Sequence, residues 1–155
     1  LLLLGAIVAA FSVAGCGGGG GDSITVQTGS LTKAEFVTRA NAACAAARIQ
    51  FEKAFAQYDR THELKNAPSE EAWLEGIIEK AVLPNYEQRM IDQISTIGAP
   101  AGEKQEVVEF LESLRQRLNE LKEEPKELNK TPFPFAKTAA LAKKYGFKGC
   151  AESFG

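Results

Sequence analysis

Leu31-Thr32-Lys33-Ala34-Glu35-Phe36-Val37-Thr38-Arg39-Ala40-Asn41-Ala42-Ala43-Cys44-Ala45-Ala46-Ala47 is the stretch that decides the fold. Thr32 is followed three residues later by Glu35, the spacing of a capping box. Leu31 and Phe36 stand where a hydrophobic staple places its two apolar residues. Val37, Ala40, Cys44, Ala47, Phe51, Phe55 and Tyr58 then recur at three and four residues, so they share one helix face. The helix is expected to end within residues 59–62, with Cys44 turned to the core.

Further along the chain the same period returns. Asn66-Ala67-Pro68-Ser69-Glu70-Glu71 has the proline and acids of a helix start, and an apolar-periodic run follows from Trp73 to Ile97. Pro84 interrupts it. A proline brings no N–H to the ladder and clashes with the preceding turn, so this second helix is expected to be kinked or broken there. Gly98-Ala99-Pro100 stops it. A third helix is expected over 102–123, marked by Val107, Leu111, Leu114, Leu118 and Leu121 and ended by Pro125. A fourth spans about 135–145 and is closed by Gly146 at C′. No run alternates strictly as a strand does. The expected fold is therefore all-α, an antiparallel four-helix bundle over residues 31–155.

The other end of the chain is different in kind. Residues 1–14 are mostly apolar and lead into Val13-Ala14-Gly15-Cys16, followed by five glycines. A run of this length ending in small residues reads as the apolar region and cleavage site of an export signal. A transmembrane helix needs about 20 apolar residues. An ordinary cleaved signal and a retained helix remain the alternatives. The chain opens at Leu1 without a basic region, so the signal, residues 1–15, is expected to be truncated. The Val-Ala-Gly-Cys ending resembles the lipobox of bacterial lipoproteins. That resemblance implies acylation of the Cys16 thiol and a protein held on the outer face of the cell membrane. Residues 16–30 are expected to form a lipidated, disordered, glycine-rich tether, with a reach of roughly 20 Å.

The stretches LTKAEFVTRANAACAAA, IGAPAGE and LAKKYGFKGC resemble a loose group of small exported or lipid-anchored helical proteins of actinobacteria and related high-GC bacteria. The resemblance supports a helical fold, export and a cysteine pair, and implies no activity. The chain has three cysteines. With Cys16 set aside, Cys44 and Cys150 are an even pair, and outside the cytoplasm a disulfide between them is the default. Two buried free thiols are the rival reading. No second Cys or His stands near either one at metal-ligand spacing.

Composition and motifs narrow the function. The chain has 155 residues, 45% hydrophobic and 25% charged, with net charge −2, which suits one globular domain. Lys and Arg are interleaved with Glu, so neither nucleic acid nor an anionic membrane surface is an expected partner. The single histidine, His62, reads as an exposed loop residue and excludes di-iron and zinc-protease motifs that need two. Glu75 and Glu79 form a carboxylate pair on one helix face beside Lys80, which reads as a solvated face. No serine sits in a nucleophile elbow, and the glycines at 17–21 lack the Lys-Ser/Thr ending of a phosphate loop. Thr131-Pro132-Phe133-Pro134-Phe135 reads as a cover over one end of the bundle. No catalytic residue, metal site or cofactor is expected. The expected role is a non-catalytic binding module of the cell envelope with a protein partner. A small apolar or lipid-like ligand held between helices is the alternative.

Overall fold

Helix α1 (Lys33–Thr61) begins as the Thr32–Glu35 spacing dictates. The Thr32 hydroxyl accepts from the Glu35 N–H at 3.3 Å, and the Glu35 carboxylate accepts from the Thr32 N–H at 2.9 Å. The computed structural model describes residues 23–130 and 135–154. The expectations placed on the signal, on Cys16, on residues 17–22 and on residues 131–134 lie outside the described residues.

After α1 a 3₁₀ turn (Leu64–Asn66) leads to α2 (Glu70–Ile77), whose N-cap Ser69 accepts from the Ala72 N–H at 3.1 Å. Two π-helical stretches, Ile78–Val82 and Tyr86–Ile91, join α2 to α3 (Leu83–Asn85) and α4 (Asp92–Ile97). The run thus divides around Pro84, as expected, while its backbone stays helical. Val82, Leu83, Asn85 and Tyr86 all keep right-handed helical dihedrals. The ladder instead widens to the i→i+5 register on both sides, one of the few ways a helix absorbs a residue that cannot donate. The buried Asn85 side chain donates to the Ala81 carbonyl one turn back, at 2.7 Å.

Helix α5 (Lys104–Glu123) buries Val107, Phe110, Leu111, Leu114, Leu118 and Leu121. A 3₁₀ turn (Pro125–Asn129) follows it. Helix α6 (Ala136–Tyr145) ends at Gly146 in the left-handed region, φ 107°. A short α7 (Lys148–Glu152) comes next, beyond the four helices expected. The described residues are thus all-α apart from one isolated parallel bridge between Thr28 and Ala99. They hold more helical segments than the four expected, because the run through Pro84 divides and α7 is added. The run from α2 to α4 packs against α1, and its second π stretch also packs against α5. Helix α6 packs against α5, and α7 against both α1 and α6.

Cys44 and Cys150 are joined in a disulfide with Cα atoms 4.9 Å apart, linking α1 to α7. Beside it the Asn41 side-chain carbonyl accepts from the Gly149 N–H at 2.9 Å and the Cys150 N–H at 3.4 Å. An α1 residue thus caps the start of α7, which has no capping side chain of its own. Any side chain at Gly149 would crowd this contact, since a Cβ there would lie 3.2 Å from the Asn41 oxygen. Rings fill the space around the bridge. Phe147 meets Phe36 and Phe110, and Phe154 meets Phe110, Phe135 and Tyr86, all within 6.4 Å. The Tyr86 hydroxyl donates to the Ser153 carbonyl at 3.2 Å, and burial pushes its pKa up to about 12. The Tyr145 ring lies against Phe147, and its hydroxyl donates to Glu103 at 2.6 Å. This bond holds the Glu103 carboxyl below its ordinary range, and Lys33 pairs with the same carboxylate at 3.1 Å.

The tether expected through residue 30 is corrected for its second half. Ile24 and Val26 are buried in the core. The Ile24 N–H donates to Glu112 at 2.6 Å, the Gly29 N–H to the Ala99 carbonyl at 2.7 Å, and the Ala99 N–H to the Gln27 carbonyl at 2.8 Å. The physical reason is the alternation Ile24-Thr25-Val26-Gln27, which turns two branched apolar side chains to one side, where they remove enough surface from water to hold the segment down. Gly29 passes so close to Gly98 that a Cβ would lie 2.7 Å from the Gly98 oxygen.

Replacing Asn41 with Ala leaves the α7 N-terminus uncapped. The expected loss is about 1 kcal/mol, read from the urea midpoint at unchanged slope; an unchanged midpoint would show that the cap contributes nothing.

Candidate functional site

The apolar face of α1 runs beyond the core. Phe51, Phe55 and Tyr58 lie along its C-terminal half, where they are only partly buried. Helix α2 brings Trp73 against them, with ring centroids 6.3 Å from Phe55 and 6.4 Å from Tyr58. At the helix end His62 leaves the helical region at φ −134°, ψ 65° and lays its imidazole flat on the Tyr58 ring, 4.4 Å away at 8°. The Trp73 indole N–H donates to the His62 carbonyl at 2.6 Å, which buckles the α1–α2 corner.

Gly76 makes this corner possible. A Cβ at that position would lie 1.8 Å from the Tyr58 hydroxyl oxygen and 2.4 Å from its ring carbon, so the phenol rests where a side chain would otherwise be. The result is a surface cleft of about 390 Å³. Its walls are Tyr58, His62 and Trp73, and its floor and rim include Thr61, Asn66, Ala67, Pro68 and Ala72. Two charged residues line it, Arg60 and Glu63. Glu63 is engaged by Lys65 at 3.0 Å and by the Asn66 amide at 2.9 Å. The Arg60 guanidinium has no hydrogen bond or ion pair among the described residues.

Thr61 and His62 place a hydroxyl 2.8 Å from an imidazole nitrogen, the one such pair in this cleft. The Thr61 hydroxyl also lies 3.0 Å from the Gln57 carbonyl and 3.1 Å from the Tyr58 carbonyl, acceptors for its proton. No carboxylate orients the imidazole from its far side among the described residues. A nucleophile needs both a base and a fixed base orientation.

The remaining sequence candidates fall elsewhere. Cys44 and Cys150 are fully buried and bonded to each other. Glu75 and Glu79 both line a second cleft of about 270 Å³ with Ile78, Leu83, Leu121 and Lys122, and Glu79 pairs with Lys80 at 3.8 Å. Ser69 caps α2, and Ser113 meets the Thr138 hydroxyl at 3.0 Å. No group of three His, Cys, Asp or Glu side chains among the described residues is placed to hold a metal. His62 is exposed, as expected, but it stands in a built aromatic corner rather than a plain loop. Gly76 and Arg60 were missed. A glycine inside a helical pattern was the available signal for the first; an arginine on a helix surface gives none for the second.

Compared with known protein families, with curated proteins and with solved structures, the chain shows no match. Among the described residues, no helix is long and apolar enough to cross a membrane.

Replacing Gly76 with Ala sets about 1 kcal/mol of helix propensity against overpacking of about 1–3 kcal/mol. A net loss of about 0–2 kcal/mol is thus expected, while the Tyr58 ring is pushed off its seat. Ring-to-ring nuclear Overhauser contacts between Tyr58 and His62 should disappear, and their survival would show that the glycine does not shape the corner.

Proposed function

We propose that this chain is a lipid-anchored, non-catalytic binding module of the cell envelope, held at the outer face of the membrane through an acylated Cys16. In this reading the helices form an antiparallel four-helix bundle, with residues 70–97 counted as one member and α7 as an extension of the last. The binding role is carried by the Tyr58–His62–Trp73 cleft, a preformed aromatic corner with polar edges and no activated nucleophile. The location is supported by the Cys44–Cys150 disulfide, a bond that persists in oxidising compartments. The bond takes up two of the three cysteines and leaves Cys16, in its lipobox-like setting, as the thiol for acylation.

The clefts described open at the surface, and each is lined by at least one charged side chain. This supports contact at the surface over an apolar ligand enclosed between helices.

Native mass spectrometry of the mature protein extracted from its own cells tests the proposal in one spectrum. The expected species begins at an acylated Cys16, lies two hydrogens below the all-thiol mass and carries a non-covalent component. An unmodified Cys16 or free thiols would overturn the location, and a bare mass would overturn the binding role.

A further inference from the structure

We propose that the Tyr58–His62–Trp73 cleft takes a small organic acid, a planar apolar group bearing one carboxylate. The proposal rests on the reading of this chain as a binding module and adds the class of its ligand. Three observations carry it. First, the size is that of a small-molecule site: about 390 Å³ lies within the 300–1,000 Å³ typical of such pockets. Second, the walls are flat. Trp73 adjoins Tyr58 at 6.4 Å and 54°, and His62 stacks on Tyr58 at 4.4 Å, so the lining is a corner of adjoining rings, whose faces suit a planar apolar group over a branched or long-chain one.

Third, the charge of the cleft is one-sided. Its single carboxylate, Glu63, is already paired with Lys65 and hydrogen-bonded by Asn66. Its single guanidinium, Arg60, has no partner among the described residues and lies on the last turn of α1. An arginine with its donor fork free is suited to a carboxylate, which it grips with two parallel hydrogen bonds. The same charge disfavours an ammonium ligand, which an aromatic corner would otherwise attract. The Trp73 indole N–H is spent on the His62 carbonyl and so is not a donor to the ligand. The ligand's polar contact is therefore assigned to Arg60, and its ring to the aromatic walls.

The chain has one tryptophan, so the Trp73 indole N–H gives a single side-chain resonance at the cleft. The test is titration of the folded, oxidised protein with 2-naphthoate and with its uncharged isostere 2-naphthamide, followed at that resonance. The expected result is a saturable shift with naphthoate and binding about tenfold weaker with naphthamide, the equivalent of one charge-assisted hydrogen bond. Arg60→Gln, an exposed substitution that leaves the core untouched, is expected to erase the difference while both compounds still shift the resonance. Equal binding of the two by the unaltered protein, or no shift with either, would overturn the proposal. If naphthoate fails while the native spectrum still carries a bound component, the ligand class is wrong and the binding module stands. If naphthoate binds through Arg60 while that spectrum is bare, the pocket stands and the envelope-binding reading fails.

Discussion

The Cys44–Cys150 bond joins the middle of α1 to the last helical turns of the chain, and the rest of the structure is arranged around it. Helices that pack with axes about 8–10 Å apart carry Cα atoms about 2.3 Å off each axis, so facing Cα atoms come within the roughly 7 Å a disulfide needs. At the observed 4.9 Å, the buried face of α1 around Cys44 carries Ala40, Ala43 and Ala47. Their small side chains admit the α7 backbone, and Gly149 and Asn41 complete the approach. The bond spans a separation of 106 residues. By the loop-entropy argument such a closure contributes about 4–5 kcal/mol, comparable with the whole stability of many domains at about 5–15 kcal/mol. The buried alanines of α1, Ala40, Ala43 and Ala47, line the crosslink, while its exposed ones, such as Ala42, Ala45 and Ala46, serve helix preference.

The aromatic side chains carry this constraint to the surface. From Phe36 and Phe147 beside the bridge, ring contacts pass through Phe110, Phe154 and Tyr86 to Phe51, then through Phe55 and Trp73 to Tyr58 and His62. The rings are buried at the crosslinked end and half-exposed or exposed at the cleft. The cleft is therefore an extension of the core that solvent reaches. Its shape depends on two backbone facts, the absence of a side chain at Gly76 and the turn out of helical geometry at His62.

Much of the fold was legible in the residues. The Thr32–Glu35 box, the Ser69 start, the Gly98 stop and the Gly146 cap all act locally, so spacing alone locates them. What escaped depends on distant partners. Ile24 and Val26 alternate with Thr25 and Gln27, but a two-residue apolar pattern after a glycine tract says nothing until Glu112 and Ala99 are brought beside it. Helix α7 is too short to declare itself and is held by Asn41, more than a hundred residues earlier in the chain. Pro84 was expected to kink or break its helix, and the run divides there; what spacing alone does not show is that the division takes the form of a π stretch on either side. The cleft escaped for the same reason as α7. His62 was visible as the single histidine and Trp73 as the start of an apolar run, but their meeting across the α1–α2 corner depends on Gly76.

The claim that the crosslink holds the domain together is tested most directly by urea unfolding of the oxidised protein and of the same protein kept in a phosphine reductant, followed by far-UV circular dichroism. The account predicts that reduction lowers the unfolding free energy by about 2–5 kcal/mol and that amide protection is lost first in α7. Superimposable unfolding curves, with α7 equally protected in both forms, would contradict it.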